Sequence, residues 1–204
     1  DLPEKPKRKR PYKKVKTMKR PPRGESIEKR PAEVDARETF GHWEGDTVYS
    51  KKDGSKALFV LTERLTREEI IMRIKDRTAE SVIKALDRIE RKYGPVLFRK
   101  IFQTITFDNG GEFADVDRME RSPLRKTLKR TKVYFCHPYS SYERGSNECQ
   151  NKMIRRPFPK GTDFGNVTDA EVARAEQWMN NYPRKILGWK TSEMLFRECV
   201  AALI

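Results

Sequence analysis

Residues 42–50, "HWEGDTVYS", together with the two runs that follow them, decide the fold. Those runs are "KALFVLTER" at 56–64 and "EEIIMRIK" at 68–75. All three are short and rich in β-branched and aromatic residues, turn sequences separate them, and Asp53-Gly54 is a strong hairpin signal. We therefore predict three consecutive antiparallel strands, with Asp46 at the start of the first.

The rest of the chain alternates between strand and helix patterns. Residues 78–94, "TAESVIKALDRIERKYG", have apolar side chains at helical spacing, with Thr78 as the N-cap and Gly94-Pro95 as the stop. Two more strands are predicted at 102–111 and 132–139, and helices are predicted to begin near Ser146, Thr168 and Thr191. This order predicts an α/β fold with a mixed five-stranded sheet flanked by helices.

The charge of the chain favours a polyanionic partner. The net charge is +15, from 45 Lys and Arg against 30 Asp and Glu, and nucleic acid is the first partner to consider. Residues 1–24 hold 11 of these cations and five Pro. We predict a basic extended arm over residues 1–37, with Lys13 and Lys14 contacting DNA, then a core domain at 38–165 and helices at 166–204 that complete it. A solubilising tail is the alternative for the arm.

Cysteine usage and hydropathy exclude several classes of protein. Cys136, Cys149 and Cys199 form no Cys-x-x-Cys pair, so neither a disulfide framework nor a zinc knuckle is expected. No run approaches the roughly 18 apolar residues of a membrane span, and residues 1–24 lack the apolar stretch of a signal peptide. These features predict a cytoplasmic protein with reduced thiols.

Three acids lie where ordered elements could bring them together. Asp46 is on the first strand, Asp108 closes the fourth in "TITFDNGG", and Glu148 lies in the first turn of a helix. Each also has an ordinary explanation: a strand-end acid, an Asp-Asn-Gly turn, and a surface ion pair with Lys152 worth about 0.3–0.5 kcal/mol. As a set they could hold two Mg²⁺ ions, which neutralise the attacking and leaving oxygens in phosphodiester chemistry.

Five motifs then occur in one order along nearly the whole chain. They are "HWEGDTV" at 42–48, "TFDNGGEF" at 106–113, "PYSSYERGSNE" at 138–148, "RRPFPKGTDF" at 155–164 and "NNYPRKILGWKTSEMLF" at 180–196. With these motifs, residues 30–196 resemble the insertion-sequence-thirty family of bacterial transposases.

The resemblance implies a ribonuclease-H-like integrase core in which Asp46, Asp108 and Glu148 form a triad that binds Mg²⁺ or Mn²⁺, with two ions expected. It also implies a DNA transposase that cleaves transposon ends and joins them to target DNA. Its partners would be the terminal inverted repeats, the target DNA and further copies of the chain in a homo-oligomer. A ribonuclease-H-like nuclease without strand transfer, a non-catalytic DNA-binding protein and a structural RNA-associated protein remain the alternatives.

Cations follow the third acid closely, and we expect them to bind DNA phosphates; they are Lys152, Arg155, Arg156 and Lys160. His137 is predicted either to contact DNA or to form a structural hydrogen bond. Glu112 is a weaker candidate metal ligand than the triad, because it follows two glycines.

Three further residues have mainly structural expectations. Stacking on bases is the alternative for Trp43 and Trp189, but both are predicted to pack in the core, since Trp is commonly a largely buried residue. Pro157 is predicted to weaken the helix about two turns after Glu148, because proline removes a helical hydrogen bond.

Overall fold

The computed structural model describes residues 24–50, 56–137 and 145–204, and it describes their side chains except for those of residues 145–148. The predicted contacts of Lys13 and Lys14, the hairpin turn at Asp53-Gly54 and the side chain of Glu148 therefore lie outside the described part of the chain.

One mixed sheet, in the strand order β1-β6-β5-β2-β3-β4, is the centre of the fold. β2 pairs antiparallel with β3, and β3 with β4, which confirms the three consecutive strands. β2, β5, β6 and β1 run parallel to one another. The strands are β1 Glu25–Ser26, β2 His42–Tyr49, β3 Ala57–Glu63, β4 Glu69–Ile74, β5 Thr104–Phe107 and β6 Lys132–Phe135.

The five predicted strands are therefore present, but the sheet has a sixth strand. β1 comes from residues that we predicted as the end of the basic arm, and it pairs with β6. After it, a 3₁₀ turn at Ile27–Lys29 and the short helix α1 at Glu33–Ala36 lie against the sheet. Residues 24–37 thus belong with the folded domain, because two backbone pairs and the buried side chains of Arg30 and Val34 attach them to it.

The helices begin and end largely where their signals predict. Thr78, Thr168 and Thr191 each accept a backbone hydrogen bond as N-caps, and Thr168 forms a full capping box with Glu171. The longer helices are α2 Ala79–Tyr93, α5 Gly145–Ile154, α6 Asp169–Asn180 and α7 Ser192–Ala201, and the shorter ones are α3 Pro95–Ile101 and α4 Val116–Glu120.

α3 was not predicted, and α5 ends as expected. Pro95, which we took as the stop of α2, is also the first residue of α3, where its missing N–H costs nothing. α5 ends at Ile154, before the exposed Pro157.

Apolar side chains fill both faces of the sheet. On one face Trp43, Phe59 and Phe107 pack with α2, α3 and Phe196 of α7. On the other, Leu58 and Val60 pack with the end of α5 and with α6. The result is a three-layer arrangement, with the sheet between two layers of helices.

The two tryptophan predictions have opposite outcomes. Trp43 is fully buried and its Nε1 donates to the carbonyl of Ile101 at 2.8 Å, as expected for a core indole. The prediction for Trp189 was wrong, since it is 69% exposed with a φ of 67°. Its left-handed backbone, next to Gly188, turns the side chain away from the core.

Two exclusions from the sequence can be compared with the described residues. In the described part of the chain, no disulfide joins Cys136, Cys149 or Cys199. Within 24–50, 56–137 and 145–204, no helix combines the length and apolar composition needed to cross a membrane.

Candidate active site

Asp46 lies on β2, and Asp108 directly follows β5, the parallel strand next to it. The β2–β5 register pairs His42 with Thr104 and Glu44 with Thr106, and two more residues along each strand bring position 46 level with position 108. Adjacent strands are about 4.8 Å apart, so the two backbones hold these acids side by side. Asp46 lies within β2 and not at its start as predicted, because β2 begins at His42.

A tight turn follows Asp108. Its Oδ1 accepts the backbone N–H of Gly110 at 2.8 Å, and the side chain of Asn109 donates to the carbonyl of Cys136 at 2.7 Å. A Cβ on Gly110 would lie 2.8 Å from Asp108 Oδ1 and 2.7 Å from Glu112 Oε2. A side chain at this position would therefore have to displace the carboxylates of Asp108 and Glu112. Asp108 thus forms a turn, as its ordinary explanation supposed, and also lies beside position 46.

The helix α5 is joined directly to Asp46. Asn151 Nδ2 donates to Asp46 Oδ2 at 2.8 Å, while Asp46 Oδ1 accepts the backbone N–H of Thr47 at 2.8 Å. Position 148 lies three residues before Asn151 and so shares its face of the helix. The backbone of α5, which includes position 148, is therefore tied to β2 at Asp46.

Asn151 is a site residue that our sequence reasoning did not name. Its spacing of three residues from Glu148 was an available signal. Its Oδ1 is buried and has no hydrogen-bond partner among the described residues. An oxygen acceptor of this kind, next to Asp46, is suited to a hard cation or to a water molecule of its coordination shell.

Glu112 has partners other than a metal. Its Oε1 accepts hydrogen bonds from Thr47 Oγ1 at 2.6 Å and from Arg77 Nη2 at 2.5 Å. Burial raises the pKa of Glu112, but the hydrogen bonds from Thr47 and Arg77 outweigh it and hold the pKa below its ordinary value. Glu112 is thus an ionised carboxylate that fixes Arg77 in position.

Arg77 in turn lies over an aromatic ring. Its guanidinium carbon is 3.7 Å from the centroid of Tyr49, the last residue of β2. Burial raises the pKa of the Tyr49 phenol, Arg77 opposes it, and the carboxylates of Glu112, Asp108 and Asp46 act in the same direction as burial. The ring therefore lies within the field of the acids at this edge.

The predicted DNA cations differ in exposure. Lys152, Arg156 and Lys160 are exposed, whereas Arg155 is half-buried. Arg155 Nη2 donates to the Tyr49 carbonyl at 3.3 Å, and its Nη1 is buried without a hydrogen-bond partner among the described residues. Burial lowers the pKa of this guanidinium.

His137 has a protein contact in the structure. Its Nε2 lies 3.1 Å from Glu28 Oε1, and both side chains are largely exposed. This fits the hydrogen-bonding alternative for His137, while DNA contact stays a prediction.

Two residues before each of the acids Asp46 and Asp108, a buried side chain is held by an arginine. Glu44, fully buried and two residues before Asp46, pairs with Arg64 at 2.5 Å. Thr106, two residues before Asp108, accepts from Arg30 Nη1 at 2.9 Å. The segment that holds β1 and α1 thus helps to fix the strands that carry the acids.

A divalent cation would depend on oxygen ligands from both strands and from α5. Among the side chains that the structure describes, no group of three His, Cys, Asp or Glu converges to hold a metal ion. Asp46 and Asp108 supply two carboxylates, and the third predicted ligand, Glu148, lies outside the described side chains. An all-oxygen set with an unpartnered amide oxygen fits Mg²⁺ or Mn²⁺ chemically.

Solved structures share this architecture. The chain aligns with the catalytic core domain of BIV integrase at a TM-score of 0.58 and 18% identity, covering 80% of this chain and 98% of that one. It aligns with a chain of a simian T-cell lymphotropic virus intasome in complex with PP2A regulatory subunit B56 gamma at 0.58 and 19%, covering 76% and 53%. The fold is therefore the ribonuclease-H-like integrase core.

Sequence comparison narrows the class to a family. Residues 36–141 match the model of the integrase core domain. The chain is 36% identical over 174 residues to the transposase of insertion sequence element IS4351 from Bacteroides fragilis, covering 85% of this chain and 50% of that protein. It is 35% identical over 180 residues to transposase InsI of IS30C from Escherichia coli K12, covering 87% and 43%.

The chain belongs to the integrase core domain family, and its relatives are transposases of the IS30 family. This confirms the resemblance drawn from the five motifs. The chain spans about half the length of the curated relatives it matches.

Proposed function

We propose that this chain carries the catalytic site of a DNA transposase. It would cleave a phosphodiester at a transposon end and use the freed 3′-hydroxyl to attack target DNA. Asp46, Asp108 and Glu148 would hold Mg²⁺ or Mn²⁺, with two ions bound. When bound, these ions supply charge neutralisation at the attacking and leaving oxygens.

The observation that carries this proposal is the meeting of two acidic strand positions with an anchored helix. The β2–β5 register brings Asp46 level with Asp108, and Asn151 ties α5 to Asp46. Three elements that are distant in sequence therefore converge at one edge of the sheet. A turn acid or a surface ion pair alone would require none of these long-range contacts.

The residues of the chain would have distinct tasks. Asn151 and the amide of Thr47 orient the Asp46 carboxylate through its two oxygens. The Asp108 carboxylate is held by the turn through Gly110. Lys152, Arg156 and Lys160, which are exposed, would bind DNA phosphates, and the half-buried Arg155 would add a fourth positive charge beside them.

The DNA partners would be the terminal inverted repeats and the target. Lys13 and Lys14 of the basic arm, with His137 near the site, would add DNA contacts beyond the α5 cations. Because many contacts of this kind release counterions, binding should weaken steeply as salt rises. The chain would work as a homo-oligomer on DNA; light scattering with and without a terminal-repeat duplex tests that point.

A strand-transfer assay tests the proposal. The protein is incubated with labelled terminal-repeat duplexes, a plasmid target and Mg²⁺ or Mn²⁺, and joined products are measured. Asp46→Ala, Asp108→Ala and Glu148→Ala should each remove joined product, whereas Asp117→Ala, an exposed acid on α4, should not.

Other results would reject the proposal in recognisable ways. If all three alanine variants still join DNA, the triad is wrong. If the wild type releases cut ends and never joins them, the chain is a nuclease. If DNA binding is unaffected by EDTA and nothing is cut at any metal concentration, the chain is a non-catalytic binding protein.

A further inference from the structure

Tyr49 is an exposed aromatic residue at the rim of the candidate site. It ends β2, three residues after Asp46, and is 54% exposed. Three residues of strand span about 10 Å along the backbone, and side-chain alternation places the ring on the face of β2 that carries Thr47, opposite the Asp46 side chain. The carboxylates of Asp46 and Asp108 nevertheless lie close enough to raise the pKa of the Tyr49 phenol. A large ring left in solvent beside a site of this kind is available to a ligand.

The guanidinium of Arg77 holds the ring of Tyr49 in place. The guanidinium carbon of Arg77 lies 3.7 Å from the ring centroid, so Arg77 stacks on one face of the ring, and Tyr49 remains 54% exposed. Arg77 itself donates to Glu112 Oε1 at 2.5 Å and contacts Thr47 Oγ1 at 3.4 Å. The exposed ring is therefore fixed in orientation by a chain of charged contacts.

The backbone of Tyr49 is also held from α5. Arg155 Nη2 donates to its carbonyl at 3.3 Å. Arg77 and Arg155, from opposite sides of the sheet, thus both contact Tyr49, although its ring is not part of the hydrophobic core. Fixed aromatic rings next to cations are the usual means of binding nucleic acid bases without reading their sequence.

We propose that Tyr49, stacked on Arg77, is a platform on which a nucleobase of the DNA strand in the active site stacks. The proposal rests on the proposed function and deepens it. A distance of about 10 Å corresponds to about three nucleotides of strand, so the stacked base lies within about three positions of the scissile phosphate.

This platform implies a local distortion of the DNA. A base inside an intact duplex already stacks on its neighbours, so it must leave that stack to lie on Tyr49. The cost of unstacking is smallest where the bases are already unpaired. The platform should therefore favour DNA with a frayed or mismatched pair near the cleavage position, largely independently of which base it is.

Fluorescence of 2-aminopurine gives a direct test. Oligonucleotide duplexes carry one 2-aminopurine at each of the three positions flanking the expected scissile phosphate, with that pair mismatched, and binding is measured in EDTA. Stacking on Tyr49 should quench the signal. Tyr49→Phe keeps a ring, Tyr49→Leu and Tyr49→Ala remove it, and Tyr182→Ala is a matched control because Tyr182 is also an exposed tyrosine, 44% accessible.

We expect quenching in the wild type, Tyr49→Phe and Tyr182→Ala, and its loss in Tyr49→Leu and Tyr49→Ala. Affinity for the mismatched duplex should fall about tenfold in the last two variants, in line with base–aromatic stacking. Arg77→Ala should weaken the quenching less than loss of the ring. Melting temperatures should stay unchanged for the Tyr49 variants, since the ring is exposed.

The proposal is overturned if Tyr49→Leu quenches and binds as the wild type does, or if Tyr49→Phe behaves as Tyr49→Ala. Its failure differs from failure of the proposed function. Asp46→Asn tests the latter through DNA joining and should retain quenching, whereas Tyr49→Leu tests the former through binding in the absence of metal.

Discussion

Two groups of acids in this molecule differ in the hydrogen-bond donors that the protein provides for their carboxylates. The acidic edge, formed by Asp46, Asp108 and Glu112, receives donors from backbone amides, Asn151, Thr47 and Arg77. A second group lies between β4 and α6 and consists of Glu69, which is fully buried, and Glu68 and Glu176, which are half-buried; these three are called the buried glutamates below. Burial raises the pKa of all three buried glutamates, to about 8 for Glu68.

The difference lies in donors and not in the number of acids. Glu112 is itself buried, yet two side-chain donors hold its pKa below the ordinary value. Glu68 receives a hydrogen bond from Asn180 at one oxygen, and its other oxygen has no partner among the described residues. A metal ion needs ionised carboxylates, so the acidic edge suits cation binding at neutral pH and the buried glutamates do not.

Glu44 is a third kind of acid in this molecule: it is fully buried and forms an ion pair with an arginine. Arg64→Ala would leave the fully buried Glu44 without its partner at 2.5 Å. We expect a loss of about 3–5 kcal/mol in the free energy of unfolding, because the buried carboxylate loses its ion pair with Arg64. Urea denaturation measures the loss. The double variant Glu44→Gln/Arg64→Met should recover part of it; a single variant as stable as the wild type would show that the pair contributes nothing.

Manganese binding should separate the acidic edge from the buried glutamates. Asp108→Asn should weaken Mn²⁺ binding by at least about 100-fold, since loss of even an outer-shell partner can cost 10- to 100-fold. Glu69→Gln, a matched change in the other group, should leave the affinity unchanged. Isothermal titration at pH 7 measures both. Equal losses in the two variants would remove the distinction between the groups.

The pH dependence of stability should report the buried glutamates. The pKa of Glu68 is about 8 in the folded chain against an ordinary 4.5, so the folded state keeps a proton that the unfolded state releases. The contribution of Glu68 to the free energy of unfolding should therefore fall as pH rises from about 4.5 to about 8 and then level off. Glu68→Gln should remove part of this fall and stabilise the chain at pH 8 by about 2 kcal/mol, with little gain at pH 4.5.

Thermal melts at several pH values check this expectation. Glu171→Gln is a suitable comparison, because Glu171 is an exposed capping residue whose pKa is lowered by its hydrogen bonds to Thr168. If the difference in stability between Glu68→Gln and the wild type does not grow between pH 4.5 and 8, the assignment of a raised pKa to Glu68 is wrong.

The smallest effect is expected at Asn151. Asn151→Ala removes one of the two groups that orient Asp46 but leaves the carboxylate in place. We expect a loss of about tenfold in joined product and in Mn²⁺ affinity, the lower end of the effect of an outer-shell partner. Unchanged values would mean that Thr47 and the strand alone orient Asp46.

Local signals in the sequence were sufficient for most elements. Strand alternation and the caps at Thr78, Thr168 and Thr191 depend on neighbouring residues, so they could be recognised in advance. β1 could not, because two residues become a strand only by pairing with β6, more than a hundred positions away. Trp189 was misjudged because its exposure depends on the left-handed turn after Leu187.

Only part of the candidate site could be predicted, because some of its residues belong to sequence motifs and others are joined only by long-range contacts. Asp46, Asp108 and Glu148 were found through motif order, which is a property of the sequence. The chain of contacts from Glu112 through Arg77 to Tyr49 joins three separate elements and leaves no periodic pattern to read. Asn151 lies between these cases, since its spacing from Glu148 was visible but its contact with Asp46 was not.

Anomalous scattering from crystals soaked in Mn²⁺ can show whether Asp46, Asp108 and Glu148 together bind the metal. We expect Mn²⁺ at the acidic edge, with the carboxylates of Asp46, Asp108 and Glu148 each within about 2.5 Å of a bound ion. Mn²⁺ bound instead among Glu68, Glu69 and Glu176, or a bound ion that the Glu148 carboxylate does not reach, would contradict it.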